Sequence, residues 1–148
     1  MLLRIQFFHR RPCCRHIERQ AMTTDQERKN TGKKGEDTAC RFLMSKGHTI
    51  IERNWRLGHL EVDIISMDRA GIHFVEVKTR RLPMQADPQE SVTVQKQKRI
   101  AAAAAGYMAT AGRQYREMEC MFDIVSVVLG GEEIEVEYYP EAYIPIFI

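Results

Sequence analysis

The chain has 148 residues, 44% apolar and 28% charged, a composition typical of a soluble single-domain protein that buries a core without disulfide staples. The formal charge is only +2, but residues 1–35 hold nine basic and three acidic side chains, so the remainder is net acidic. No stretch has the apolar length of a membrane span, and the start is too short for a secretory signal, so we expect a cytoplasmic protein without membrane contact.

The cysteines and histidines predict neither a disulfide framework nor a zinc motif. Cys13 and Cys14 are adjacent, and Cys40 and Cys120 stand alone. Metal-motif spacing is also missing from the histidines, which are His9, His16, His48, His59 and His73. Gly32-Lys33-Lys34-Gly35 lacks the spacing of a phosphate-binding loop. We therefore expect reduced thiols and no nucleotide hydrolysis.

Residues 1–30 form a basic extension without a helical or strand period, and we expect them to be disordered. The arginines within residues 10–16 could instead contact nucleic-acid phosphates. An Arg-rich, acid-poor start is also typical of a transit peptide, and Met22 is an alternative start. A domain is predicted over residues 31–148.

Helical spacing of apolar residues predicts a first helix over about residues 33–46. Runs rich in β-branched residues then predict three strands, the last two joined by a turn at residues 68–71. These strands are expected over residues 49–56, 60–67 and 72–78.

Residues 80–90 hold Pro83 and Pro88 and predict a loop. An Ala-rich helix over about residues 93–111 follows, with a close-packing alanine face. Strands at 121–129 and 133–138 complete the order αβββαββ. We predict an α/β fold with one mixed sheet, in which the Ala-rich helix connects two parallel strands.

The predicted hairpin brings acidic residues together. With its turn centred between residues 69 and 70, Asp63 faces Glu76 and Glu61 faces Lys78, all on one side. Two opposed carboxylates repel each other unless a cation, a shared proton or solvent intervenes. Mg²⁺ or Mn²⁺ suits the pair Asp63 and Glu76, and Lys78 could then orient a water for phosphodiester hydrolysis. Opposed charges are also common on exposed edge hairpins, without any metal.

Both helices contribute polar candidates. Glu36 shares the core-facing stripe of the first helix, although an acid in a first helical turn is also favoured by the helix dipole. Lys96 and Gln97 border the buried face of the Ala-rich helix, where each could contact a phosphate or simply face solvent. Trp55 could stack on a base, but a single tryptophan in a strand is more often a core residue.

The motifs Gly35-Glu36-Asp37, Asn54-Trp55-Arg56, Glu61-Val62-Asp63, Val75-Glu76-Val77-Lys78-Thr79-Arg80 and Phe122-Asp123 resemble the bacterial YraN family. That family is similar to archaeal Holliday-junction resolvases of the PD-(D/E)XK, restriction-endonuclease-like superfamily. The resemblance implies an αβββαβ core with a mixed sheet flanked by helices and a C-terminal hairpin strand. This sequence departs from the family pattern at Leu60, where a glycine is common.

By position, the resemblance implies that Asp63 and Glu76 bind Mg²⁺ or Mn²⁺, Lys78 is the catalytic lysine, Glu36 is the first-helix acid and Gln97 or Lys96 is the second-helix polar residue. It implies a nuclease acting on DNA, including branched DNA, and a homodimer because a junction has two strands to cut. The expected DNA contacts are Arg80, Arg81, Lys96, Lys98 and Arg99.

Two other functions remain open at this stage. One is a nucleic-acid-binding or repair-accessory module that keeps the fold without catalysis. The other is an adaptor that docks a partner through residues 138–148.

Overall fold

The computed structural model describes residues 3–5, 24–82 and 93–144, which form one mixed β-sheet with a helix on each face. A short 3₁₀ turn, Arg113–Tyr115, follows the second helix. The helices and strands in chain order are β1 (Leu3–Ile5), α1 (Thr24–Ser45), β2 (Thr49–Leu57), β3 (Leu60–Met67), β4 (Gly71–Arg81), α2 (Val94–Ala109), β5 (Glu119–Leu129) and β6 (Ile134–Tyr139).

The strand order across the sheet is β1-β6-β5-β4-β3-β2. All neighbouring strands are antiparallel except β4 and β5, which α2 connects as the predicted crossover. The predicted α/β class and the order αβββαββ are therefore confirmed. The short strand β1, which pairs with β6, was not expected from the sequence.

Two apolar cores lie on opposite faces of the sheet. The first contains the buried alanines of α2 and the ring of Tyr107, packed on β2, β3 and β4. Trp55 belongs to this core, since its ring meets Tyr107 edge-on at 5.3 Å and the residue is only 8% exposed. The second core sits between α1 and β3 to β6. Each helix thus covers one face of the neighbouring strands β3 and β4.

Helix α1 begins at Thr24, nine residues before the expected start at Lys33. The extra turns are polar and carry no apolar stripe, which is why hydrophobic periodicity missed them. They contain good helix formers such as Gln26, Glu27 and Arg28. The remainder of residues 1–30, apart from β1, lies outside the described residues, and its disorder stays a prediction.

Strand β4 runs to Arg81, three residues beyond the expected end at Lys78, because its whole length pairs with β5. The expected loop therefore starts later, and residues 83–92 lie outside the described part. At its start, α2 is capped by Thr93, whose hydroxyl accepts a hydrogen bond from the backbone N–H of Lys96. This cap fixes the helix end that faces the candidate site.

Candidate metal site and its cleft

Strands β3 and β4 pair only along part of their length. Their register pairs Ile64 with Val75 and Met67 with Ile72, as the hairpin geometry predicted. Beyond Ile64 the ladder stops, and the Asp63 carboxylate accepts a hydrogen bond from the backbone N–H of Val77 at 2.8 Å. A side chain thus takes the place of a backbone carbonyl, and the two strands separate around it.

This separation corrects part of the expected geometry. Glu61 does not pair with Lys78 in the β3–β4 ladder, which ends before reaching them. The Glu61 carboxylate instead accepts a hydrogen bond from Arg56 of β2 at 2.9 Å, and Arg56 is its cross-strand neighbour. The physical reason is the inserted Asp63 side chain, which breaks the ladder two residues before Glu61.

Asp63 and Glu76 form an electrostatically coupled acidic pair. The Glu76 side chain is only 12% exposed, and its Oε2 lies 3.2 Å from Nζ of Lys96 on α2. Burial raises the pKa of Asp63 to about 7, and the nearby charge of Glu76 adds to this rise. The Val77 N–H and the Lys96 ammonium only partly oppose it. Without a bound metal ion, burial and the charge of Glu76 therefore oppose ionisation of Asp63.

Glu36 of α1 approaches the same pair from the other side of the strands. Its Oε2 accepts a hydrogen bond from the side-chain amide of Asn54 at 2.9 Å and lies 3.9 Å from the guanidinium of Arg53. The Arg53 guanidinium also donates to Asp37 at 2.6 Å. Ala39 and Cys40, which follow Glu36 by three and four residues on α1, are buried. Glu36 therefore lies at the edge of the helix face that packs on the sheet.

Gly35 sets how closely α1 approaches β4. A Cβ atom at this position would lie 1.8 Å from Oγ1 of Thr79 and 2.7 Å from its Cβ. Only a glycine fits this contact without moving the helix. Gly35 therefore helps to bring Glu36 to the point where β3 and β4 separate.

An open cleft of about 610 Å³ contains Glu36, Asp63 and Glu76 together. It is partly basic, since Arg28 of α1 and Arg81 of β4 also line it. The remaining lining residues are Glu27, Thr31, Gly32, Val77 and Thr79. Three of the predicted site residues thus share one solvent-accessible cavity.

The other two predicted catalytic residues, Lys78 and Gln97, are not among the residues that line this cleft. Lys78 is half-buried on β4, two residues after Glu76, and its backbone is opposite Ser126 of β5. Gln97 is half-buried in the first turn of α2, beside Lys96. Lys96 is the α2 residue that contacts Glu76.

The predicted DNA contacts are spread over a wider surface. Arg81 is exposed in the cleft, whereas the charge of Arg80 acts on the Tyr139 hydroxyl of β6. Lys98 is exposed on α2, and Arg99 donates a hydrogen bond to the backbone carbonyl of His59 at 3.0 Å. Only Arg81 and Lys96 of the five lie next to the acidic residues in the described contacts.

Several candidate residues were missed from the sequence. The early turns of α1 add exposed cations beside the acidic residues, and a neighbouring cleft is lined by Lys29, Lys33, Arg53 and Arg56. Among the described residues, the Tyr143 hydroxyl is buried without a hydrogen-bond partner, and burial and the charge of Glu76 raise its pKa. Neither feature has a sequence motif, because both depend on segments meeting in space.

A second group of titratable residues lies at the β3–β4 turn. The ligand atoms of His48, Asp68 and His73 are all within 4.8 Å of one another. Their positions in the sequence show no metal-motif spacing, which is why spacing rules alone excluded them.

No helix in the described parts of the chain has the length and hydropathy to cross a membrane.

Comparison with known proteins finds relatives over most of the chain. A protein of Prosthecochloris aestuarii is 39% identical over 118 residues, covering 76% of this chain and 91% of its own. A relative from Dictyoglomus turgidum is 42% identical and covers 78% of this chain and 98% of its own. A third, from Rhodococcus jostii, is 38% identical over 113 residues. All three are described as UPF0102 proteins.

Among solved structures, SfsA of Pyrococcus furiosus in complex with Ca²⁺ is similar over 76% of this chain and 63% of its own. The identity is 15% and the TM-score is 0.33.

The matching family model spans residues 35–127, a range that contains Glu36, Asp63, Glu76, Lys78 and Gln97. It covers well over half of the chain, and the relatives match at 38–42% identity. The chain therefore belongs to the uncharacterised protein family UPF0102.

Proposed function

We propose that this protein is a metal-dependent endonuclease that hydrolyses DNA phosphodiester bonds, with Asp63 and Glu76 as ligands of Mg²⁺ or Mn²⁺. The observation that carries the proposal is the largely buried Asp63 carboxylate beside Glu76, at the point where β3 and β4 separate. Its charge is costly in the metal-free protein, because burial and mutual repulsion both oppose ionisation of Asp63. A bound divalent cation removes that cost.

The residues fit a hard cation. Carboxylate oxygens are the ligands that Mg²⁺ prefers, and it commonly uses one or two of them together with water. Asp63 and Glu76 supply two carboxylates, and Glu36 lines the same cleft. The cleft is open to solvent, which leaves room for water and for a phosphate. When bound, such a cation lowers the pKa of its water and stabilises negative charge on a phosphate.

The remaining roles belong to side chains around this pair. Lys78, on the same strand as Glu76, would orient the attacking water and stabilise charge that develops on the phosphate. Lys96 lies 3.2 Å from Glu76 and neutralises part of its charge when no metal is bound. Asn54 orients the carboxylate of Glu36 by a hydrogen bond. Gln97, beside Lys96, would contact the phosphate or the attacking water.

DNA would approach across the basic rim of the cleft. Arg28, Lys29, Lys33 and Lys34 are exposed on α1, and Arg81 is exposed on β4. Such cations neutralise backbone phosphates, the main source of affinity for DNA. The acidic pair between them would repel DNA unless a cation is bound. We therefore expect metal to increase DNA affinity as well as to permit cleavage.

We further propose a branched DNA substrate and a homodimer, since cutting two strands of a junction requires two sites. Light scattering of the protein with and without a four-way junction tests the assembly. A monomer in both conditions would exclude it.

The decisive experiment measures cleavage of labelled single-stranded, duplex, flap and four-way-junction DNA with Mg²⁺, Mn²⁺ or EDTA. Asp63→Asn, Glu76→Gln and Lys78→Met should each remove metal-dependent cleavage while remaining folded. Matched controls are Glu135→Gln and Lys46→Met, which change exposed residues on β6 and just after α1. Cleavage that survives Glu76→Gln, or that EDTA does not inhibit, would contradict the proposal.

A second candidate is a DNA-binding module without catalysis. The observation that favours it is the Lys96–Glu76 contact, because an internal cation already neutralises part of the acidic pair. Binding of junction DNA that is equal in EDTA and Mg²⁺, with no cleavage of any substrate, would support this module over the nuclease.

A further inference from the structure

We propose that His48, Asp68 and His73 form a separate metal site that binds Zn²⁺ or a similar transition-metal ion. It lies at the β3–β4 turn, and Asp68 follows Asp63 by five residues, roughly 17 Å of extended chain. The ligand atoms of the three residues lie within 4.8 Å of one another. This inference does not depend on the nuclease proposal, because none of the three residues lines the cleft of Asp63 and Glu76.

Both histidines are held by their Nδ1 atoms. Nδ1 of His48 lies 3.1 Å from the Ser66 hydroxyl, and Nδ1 of His73 lies 2.6 Å from Oδ2 of Asp123. The Nε2 atoms of both rings therefore face Asp68. That of His48 lies 4.0 Å from Oδ2 of Asp68, and that of His73 lies 3.0 Å from Oδ1. Zinc-binding histidines usually have this arrangement, in which the second nitrogen donates to a carboxylate, a carbonyl or water.

Asp68 is oriented by the turn that it begins. Its Oδ1 accepts hydrogen bonds from the backbone N–H groups of Ala70 and Gly71, at 2.7 and 3.2 Å. Its Oδ2 is the oxygen nearest to His48. Oδ1 thus holds the turn and contacts His73, whereas Oδ2 faces His48.

The spacing suits a small ion after slight movement of the side chains. Tetrahedral ligands at about 2.0–2.1 Å from zinc lie roughly 3.3 Å from each other. The observed distances lie on either side of this value: Oδ1 of Asp68 is 3.0 Å from Nε2 of His73, and Oδ2 is 4.0 Å from Nε2 of His48. The histidine side chains are about 95% buried, but that of Asp68 is 30% exposed, which leaves an entry path and a position for water.

Asp123 provides charge and rigidity behind His73. It is fully buried and accepts hydrogen bonds from the Tyr138 hydroxyl at 2.6 Å and the Glu141 N–H at 2.9 Å, in addition to His73. In the metal-free protein His73 links two carboxylates, Asp68 and Asp123. A divalent ion would replace the proton on Nε2 of His73 and leave the Nδ1 contact unchanged. Imidazole ligands favour zinc, copper or nickel over magnesium.

The test uses the full-length protein after removal of metal, titrated with Zn²⁺ against a chromophoric chelator and with Co²⁺ by visible absorption. Wild type should bind one equivalent at this site. His48→Asn should weaken binding by about 100-fold or more, because it keeps an amide near Ser66 but removes Nε2. Asp123→Asn should weaken it by about 10- to 100-fold. His59→Asn, which changes an exposed histidine, should bind as wild type does.

Three results would overturn the proposal. The first is a wild-type protein that binds no Zn²⁺, which would make the group a hydrogen-bonded network only. The second is equal binding by His48→Asn and wild type. The third is a thiolate charge-transfer band with Co²⁺, which would assign the ion to cysteine. His48→Asn leaves the contacts among Asp68, His73 and Asp123 in place, so we expect this variant to fold. Thermal unfolding without metal checks this separately from metal binding.

Discussion

The Asp63 carboxylate is hydrogen-bonded to the backbone N–H of Val77 in the neighbouring strand, at 2.8 Å. This single contact separates β3 from β4 and places Asp63 beside Glu76 in a cleft that also contains Glu36. A ladder that continued past Ile64 would leave no opening between these strands. The contact thus joins the geometry of the sheet to that of the candidate metal site.

The raised pKa of Asp63 predicts a pH-dependent stability. Its carboxyl holds its proton up to about pH 7 when folded, against about pH 4 when unfolded. In that interval the folded state binds more protons, so the free energy of unfolding of metal-free protein falls as pH rises and then levels off above pH 7. Asp63→Asn removes this contribution. Urea titrations in EDTA should show a smaller loss of stability between pH 4 and 7 for the variant, and an equal loss would contradict the assignment.

Gly35→Ala should weaken the packing of α1 on β4. The added Cβ would collide with Thr79, and overpacking of this kind costs about 1–3 kcal/mol. Gly32→Ala is the matched control, since nothing lies within 4 Å of its Cβ position and alanine favours the helix by up to about 1 kcal/mol.

Thr79→Ala should partly restore the stability of Gly35→Ala, because it removes the Oγ1 and Cγ2 contacts at 1.8 and 2.7 Å. Thermal unfolding of the four proteins measures this coupling. Additive effects of the two substitutions would show that the contact does not limit the approach of the helix.

Two substitutions at Asn54 distinguish the effect of its backbone conformation on stability from the effect of its side-chain hydrogen bond on cleavage. Its φ is +51°, a left-handed conformation that glycine and asparagine tolerate but that costs most other residues about 1–2 kcal/mol, and its amide donates to Glu36. Asn54→Gly should keep near-wild-type stability but lower metal-dependent cleavage, because Glu36 loses its hydrogen bond. Asn54→Ala should lower both. Denaturation and cleavage assays provide the two readouts, and full activity of the glycine variant would exclude a positioning role.

Lys96→Met should tighten binding of Mn²⁺ to the metal-free protein severalfold, as the ammonium 3.2 Å from Glu76 competes with the ion. The effect is modest because this lysine side chain is 40% exposed and solvent screens it. Electron paramagnetic resonance counts free Mn²⁺ directly. Lys98 is exposed on α2, two residues after Lys96, and Lys98→Met should leave the affinity for Mn²⁺ unchanged. Weaker Mn²⁺ binding by Lys96→Met would mean that the lysine supports the site in another way.

The element order could be read from local patterns because the apolar residues repeat with clear periods. The alternation in β3 and β4 and the turn at Asp68 predicted the register that pairs Ile64 with Val75. The same patterns failed at the start of α1, where a polar helix has no apolar stripe. Its extra turns place Arg28 in the wall of the cleft, a position that the hydrophobic periodicity did not predict.

The sequence by itself determined the register of the β3–β4 hairpin next to its turn, the helix faces and the pairing of Asp63 with Glu76, since these follow from short-range periodicity and turn chemistry. Only the tertiary structure decided that Asp63 enters the ladder, that Lys96 reaches Glu76, and that His48 meets His73. Each of these contacts joins separate elements of the fold. Their distances depend on how two helices and six strands pack, which no local pattern encodes.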